Sequence, residues 1–540
     1  MGRSQQKSRV CRDWLQSRHW SKLWAFIGAI FISTWLLCPS AAFARTSDLK
    51  DIVAQDPTAQ ADDQSIQPYL DRVASEVTEF TLQNGMKFIV LERHEAPVAS
   101  FMLYANVGAA NEADGQTGVA HYLEHLAFKG TTRIGTRDYA SEKPALDQLD
   151  ELFSEMMAAE KAGDEARVAD LRSQFEALRA EAASYVEQNK FGQIIEQSGG
   201  RGLNATTSAE ATRYFYSLPS NKLELWMSLE SERFLDPVFR EFYEEKEVIL
   251  EERRMRVDNS PIGRMVESFL ENAFDKHPYR RPVIGYQADL QTATREEVTE
   301  FFDTYYGPSN LIAAVVGDVD PVQVEQLAQT YFGRYQGRSA PPEVKVIEPP
   351  QTAPKFFELT LPSQPWYLEG YHRPGLTDPD HVVYSMIDSI LTGGRTARLY
   401  KTLVDESQVA LDIGSANGFP GDRYPNILLL YALSAPNHTV EEIAQLMDTE
   451  LAKLKNEPVT DGELDRVKTQ ARAGLLRSLD SDSGMASLLT EYEAKTGSWR
   501  NVFKELQAIE QVTAADVQRV AQTTFVPNNR TVGILRSQDS

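Results

Sequence analysis

At 540 residues, 42% hydrophobic and 25% charged, the chain is too long for one ordinary core and too apolar for global disorder, so two or more globular domains are expected. A formal net charge of −23 argues against a nucleic-acid or anionic-membrane partner and favours basic ligands only weakly.

The first 44 residues differ in kind from the rest. Arg3, Lys7, Arg9, Arg12, Arg18 and Lys22 make a basic start, and LWAFIGAIFISTWLLC follows as an apolar run that is short for a membrane span. PSAAFA then places Ala42 and Ala44 as an A-x-A cleavage signal. The pattern reads as a secretory signal over 1–44, with an uncleaved N-terminal anchor as the other reading. It predicts a chain carried across a membrane, into a periplasm or another extracytoplasmic space, with no stable span after cleavage. Leu37 stands before Cys38 where a lipoprotein cysteine wants a small residue. Both cysteines, Cys11 and Cys38, lie in this segment. The rest of the chain therefore needs no disulfide, and any metal site in it must use His, Asp and Glu. Loss of six basic and one acidic side chain takes the net charge from −23 to −28.

Residues 45–75 are polar, acidic and without sustained period, and read as a linker. FTLQNGMKFIVLER predicts two strands around Asn84-Gly85. ASFMLYANVGA predicts a third strand, and a helix carrying HYLEH (121–125) follows Gly115 and Gly118. Residues 141–190 are rich in Ala, Glu, Leu and Arg at helical spacing, broken by AGDEA, and predict a helical hairpin. Its functional reading is a lid or partner surface, and its bland reading a solvated insertion. GGRGLNATTSAEATRYFYSLP reads as strands, and NKLELWMSLESERFLDP and EFYEEKEVILEERRMRVDN read as helices. SAPPEVKVIEPPQTAPK (339–355) is an extended linker that divides an N-terminal domain (76–336) from a C-terminal one (356–540), the linker spanning 337–355.

The two halves repeat one pattern. A constant offset of 219 pairs Thr294 with Thr513, Val298 with Val517, Tyr306 with Phe525, Pro308 with Pro527 and Asn310 with Asn529. Each stretch is a helix, an aromatic-x-Pro-x-Asn turn and a buried strand. Duplication of an α+β domain accounts for it.

On a helix His121 and His125 share one face, and Glu124 lies three positions after His121. Two neutral imidazoles can hold one zinc ion, with a carboxylate near enough to serve a water there. The order H-x-x-E-H is the inverzincin arrangement. By itself the pentad is also what a polar helix surface produces by chance. A third ligand must be a carboxylate, and EEKEVILEERR supplies Glu244, Glu245, Glu247, Glu251 and Glu252. Glu245 and Glu252 are seven apart and share a face, which suits one ligand and one supporting carboxylate. A solvated acidic face is the alternative.

HYLEHLAFKGT, GLNATTSAEATRYFYSLP, EKEVILEERR and HPYRRPVIG, in that order, resemble the pitrilysin (M16) metallopeptidase family, most of all its processing-peptidase branch, over roughly residues 75–535. The resemblance implies an α+β fold of two homologous domains, each a mainly antiparallel sheet with helices packed on one side. It implies Zn2+ held by His121, His125 and Glu252, with Glu124 as general base and Glu245 as support. Leu203, Asn204, Ala205, Thr206 and Thr207 resemble the family's edge strand, which binds peptide substrate as an added strand. The implied activity is a zinc metalloendopeptidase acting on peptides or unfolded segments, with a non-catalytic assembly subunit as the alternative.

Two departures stand out. The spacing between histidine motif and distal glutamate exceeds the family's by about the length of 141–190, which reads as an insertion. And the Arg and Tyr that the family carries in its second half fall on Val404 and Leu411, neither able to donate a hydrogen bond to an oxyanion. The chain thus resembles the zinc-bearing member of a heterodimer whose second M16-like subunit supplies the Arg/Tyr pair.

Overall fold

The computed structural model describes residues 67–538. The signal reading of 1–44 and the linker reading of 45–66 lie outside them. Within the rest of the expected linker, Gln67–Glu76 is a helix instead. Leu70 and Val73, three apart, are buried, which is the spacing of one helical face and was too short a run to register against the polar background. This helix belongs to a unit that ends at Thr78, and the chain from Glu79 onward forms a second compact unit.

Two sheets organise the chain. The first has the order β1-β2-β6-β3-β5-β4, with β1 Val77–Thr81, β2 Lys87–Glu92, β3 Val98–Ala105, β4 Arg201–Thr207, β5 Thr212–Pro219 and β6 Leu311–Gly317. The second has the order β7-β11-β8-β10-β9, with β7 Lys355–Leu361, β8 Trp366–Arg373, β9 Ala410–Phe419, β10 Asn426–Ser434 and β11 Arg530–Ser537. In the first, β2 runs parallel to β6, and β6–β3, β3–β5 and β5–β4 are antiparallel. In the second, β7 runs parallel to β11, and β11–β8, β8–β10 and β10–β9 are antiparallel. The halves therefore share one strand plan, and the fold is α+β with two homologous, mainly antiparallel sheets.

The sequence offset reappears in atomic detail. Helices Arg295–Tyr305 and Ala514–Thr524 both begin with a capping box, Thr294 with Glu297 and Thr513 with Asp516. Asn310 Nδ2 donates to the Tyr305 and Asn106 carbonyls, and Asn529 Nδ2 donates to those of Thr524 and His372. These bonds fix the turn that feeds β6 in one half and β11 in the other.

Each sheet packs helices of its own half on one face, burying Phe88, Phe101 and Leu103 in the first core and Leu428, Leu430 and Ala432 in the second. The halves also exchange a helix. Pro261–Ala273 packs on β7 and β11, and a Cβ at Gly370 of the adjoining β8 would meet the Phe269 ring at 2.6 Å. Asp482–Thr496 packs on β3 and β6. Its Glu493 and Glu491 pair with Lys87 and Arg213 of the first half. Residues 336–354, between the halves, carry no regular structure.

The expected hairpin is present as Tyr139–Ala162 and Glu165–Tyr185. Gly163, at φ 72°, closes the first helix in a left-handed conformation that Gly adopts without strain, and Asp164 caps the second. The hairpin packs on the helix Phe242–Arg253, which carries Glu245 and Glu252. Tyr243 donates to Asp150, Arg179 to Glu244 and Glu247, and Arg240 to Glu142 with both partners of that last pair fully buried.

Candidate metal and peptide site

HYLEH lies on the helix Val119–Leu126, which follows β3. Its N-terminal turn is held by a residue no motif pointed to. Glu112 is buried and accepts from the backbone N–H groups of Gly118 and Ala120 at 3.0 and 2.9 Å. Burial pushes the Glu112 carboxyl up to about 8, against the pull of those two bonds. Tyr122 stacks on Phe242 with centroids 4.6 Å apart and donates its hydroxyl to the Phe242 carbonyl. That contact joins the histidine helix to the start of the glutamate helix Phe242–Arg253.

The join brings three potential ligands together. His121, His125 and Glu252 each offer one ligand atom, all within 4.8 Å of one another, and they are the one such cluster among the described residues. Glu252 Oε2 lies 3.5 Å from His125 Nε2 and 3.8 Å from His121 Nε2. Those separations sit near the ~3.3 Å edge of a tetrahedron drawn with ~2.0–2.1 Å metal–nitrogen bonds. The donor set, two imidazoles and a carboxylate, suits zinc. His125 Nδ1 faces Glu245 Oε2 at 3.1 Å, which leaves Nε2 turned toward Glu252. Lys129 pairs with the other oxygen of Glu245 and with Glu241.

Electrostatics separate the two imidazoles. Burial drives the His121 imidazole down to about 3, helped by His125 and Arg256, so it is neutral. Burial acts against the charged form of His125 too, but its hydrogen bond to Glu245 and the charges of Glu252, Glu245 and Glu124 outweigh it and raise the group. Glu245 is held low: burial opposes this, and the bonds to His125 and Lys129 prevail. Burial raises Glu124, and the hydroxyl of Thr207 resists by donating to its Oε2 at 2.5 Å.

Thr207 ends β4, the outer strand of the first sheet. The structure therefore sets the expected edge strand beside the expected base. Leu203 and Thr206 are half-buried, Asn204 is exposed, and Ala205 and Thr207 point into the protein. Pairing with β5 slips between Arg201 and Asn204, so Gly202 and Leu203 leave the ladder. In the second half Val404 lies half-buried against the core, and Leu411 is exposed on β9.

Three supporting residues escaped the sequence reading: Glu112, Lys129 and Arg256. Lys129 stands four after His125, and Arg256 four after Glu252, where it pairs with Oε1 at 2.8 Å. For Arg256 the i, i+4 relation to its partner was the available signal, whereas Lys129 lies beyond the end of the histidine helix and pairs with distant residues. Glu112 left none, because its bonds run to backbone.

A family model described as insulinase (peptidase family M16) matches residues 87–146 and 176–287, and one described as peptidase M16 inactive domain matches 292–471. The chain belongs to peptidase family M16. The stretch left out, 147–175, falls wholly within the helical hairpin. Zinc protease PqqE of Helicobacter pylori is 28% identical over 464 residues, spanning 84% of this chain and 92% of the relative. Uncharacterized zinc protease ML0855 of Mycobacterium leprae is 26% identical over 453 residues, spanning 82% and 88%. A crystal structure of a protease from Helicobacter pylori superposes with a TM-score of 0.72 at 26% identity, over 85% of this chain and 99% of that one. A Pseudomonas fluorescens structure described as peptidase M16 inactive domain shares the fold, with a TM-score of 0.69 at 16% identity over 86% and 98%. Among the described residues no helix is long and apolar enough to cross a membrane.

Proposed function

We propose that the chain is a zinc-dependent metalloendopeptidase that cuts peptides or unfolded segments, with His121, His125 and Glu252 as metal ligands. The observation that carries the reading is their convergence with Glu245 already seated on His125 Nδ1 and with Glu124 beside an edge strand. Zinc, when bound there, supplies positive charge that polarises a carbonyl and makes a water more acidic. The chain's own residues do the rest. An extended peptide pairs its backbone with β4 over Leu203–Thr207, largely independent of its side chains. Glu124 accepts the proton of the attacking water, held in place by the Thr207 hydroxyl on Oε2. As the C–N bond breaks, Glu124 returns that proton to the leaving amine nitrogen. Glu245, held by Lys129, keeps His125 in the tautomer that leaves Nε2 free.

The second half of the chain supplies no donor at Val404 or Leu411, so we place this chain as the zinc-bearing subunit of a heterodimer. A second M16-like subunit brings the Arg/Tyr pair. The N-terminal residues 1–44 direct the chain across a membrane, and the hairpin within 141–190 is an insertion relative to the family that backs the glutamate helix.

The test is cleavage of a quenched peptide library by the purified protein, with bound zinc quantified in the same sample. Stoichiometric zinc with little cleavage until an Arg/Tyr-bearing homologue is added supports the whole reading, and the partner is expected to raise the rate by about 10²–10³. Full chelator-sensitive cleavage by this chain alone removes the heterodimer. Zinc without cleavage in any pairing favours the non-catalytic assembly subunit, and absence of zinc overturns the reading.

A further inference from the structure

We infer that Arg256 is a positioning residue that keeps Glu252 a one-oxygen ligand, so that a coordination position stays open; this rests on the metallopeptidase reading above. The two oxygens of Glu252 have different neighbours. Oε2 faces both imidazoles, at 3.5 Å from His125 Nε2 and 3.8 Å from His121 Nε2. Oε1 forms an ion pair with Arg256, Nη1 lying 2.8 Å away. Glu245 is divided in the same way, one oxygen on His125 Nδ1 and the other on Lys129. Glu252 and Glu245 are thus each split between an imidazole and a cation.

A carboxylate with both oxygens free can chelate a dication and fill two positions around it. A catalytic zinc keeps three protein ligands and one open position for water or substrate. With Arg256 on Oε1, a two-oxygen grip on the metal must first break that ion pair. Arg256 has no other ion-pair partner among the described residues. Its side chain is 51% exposed, so it packs little and its removal leaves the core intact. As an exposed i, i+4 pair it adds little to folding, so stability alone gives no reason for its placement. The backbone widens into a π turn at Arg254–Asp258, just after the ligand. Such turns are frequent at functional sites, and this one carries Arg256 beside Glu252.

The experiment compares the wild-type protein with Arg256→Gln and Arg256→Lys. Bound zinc, the visible spectrum of the Co2+-substituted protein and peptide cleavage are measured, the last with whatever partner the wild type requires. The Gln variant is expected to bind metal stoichiometrically and to unfold at the wild-type temperature. Its Co2+ bands should weaken toward those of a higher coordination number. Its kcat should fall about 10–100-fold while KM stays within about twofold. Arg256→Lys should restore the wild-type spectrum. A Gln variant with the wild-type Co2+ spectrum overturns the inference, whatever its activity. A wild-type protein that takes up neither Zn2+ nor Co2+ overturns the metallopeptidase reading, and the inference with it. That failure is told apart because it appears before any substitution.

Discussion

In the first half, β3 leads to a helix whose His121, Glu124 and His125 face carboxylates and an edge strand. In the second half, β8 leads to His381–Thr392, where Met386, Ile387, Ile390 and Leu391 are wholly buried. This helix too holds an imidazole and a carboxyl, but their surroundings differ. His381 Nδ1 accepts from Arg373 Nη2 at 2.7 Å, so its neighbour is a cation that would repel a metal ion. Burial raises the Asp388 carboxyl to about 6, with no imidazole beside it. The comparison shows two layers of constraint in a duplicated fold. Strand order, capping boxes and the Asn turn persist because the whole half depends on them. The candidate metal donors depend only on a few side-chain pairs, which among the described residues come together in one half.

The sharpest way to break this comparison is at the paired carboxyls. Glu124→Gln should lower kcat by about 10²–10⁴ while bound zinc stays stoichiometric. Asp388→Asn in the other half should leave cleavage as it was. Equal losses from the two would end the claim that only one half works.

Next in size is the buried ion pair under the glutamate helix. Arg240→Met leaves Glu142 charged, buried and unpaired, and should cost about 3–5 kcal/mol in urea unfolding. A silent variant would mean that the hairpin does not support the helix. Smaller and symmetric effects are expected at the repeated turn. Asn310→Ala and Asn529→Ala each strip a donor from two carbonyls and should cost about 1–3 kcal/mol apiece, without altering zinc content. A large cost in one half and none in the other would show that the repeat is no longer equivalent in energy.

The mildest test is pH. Burial lowers His277 in the first half to about 4 from its ordinary 6.5, and burial followed by Arg373 does the same for His381 in the second. Between those values the unfolded chain binds protons that the folded chain refuses. Stability is therefore full above about pH 6.5 and is lost as pH falls toward about 4. His277→Gln and His381→Gln should each flatten part of that slope, read as the urea midpoint against pH, and an unchanged slope would place the acid sensitivity elsewhere.

Much of this was legible because it is local. Asn84-Gly85 marked the turn before β2, AGDEA marked the hairpin's break, and the offset of 219 foretold that β6 and β11 start at matching positions, Leu311 and Arg530. The helix Gln67–Glu76 was missed because two apolar residues in an acidic stretch carry little periodicity. The donor types at the site were visible as motifs. Their supports were not, because Glu112 acts on backbone N–H groups and the Glu245–Lys129 pair joins residues more than a hundred positions apart.

The sequence by itself determined the strand and helix succession, the duplicated plan and the kinds of donor that could gather near HYLEH, since each follows from short-range spacing and side-chain chemistry. Tertiary structure alone decided the rest. It chose Oε2 of Glu252 to face the imidazoles, brought Thr207 to Glu124, and crossed one helix from each half onto the other's sheet. Those outcomes depend on how distant surfaces pack, and no local pattern in the chain encodes them.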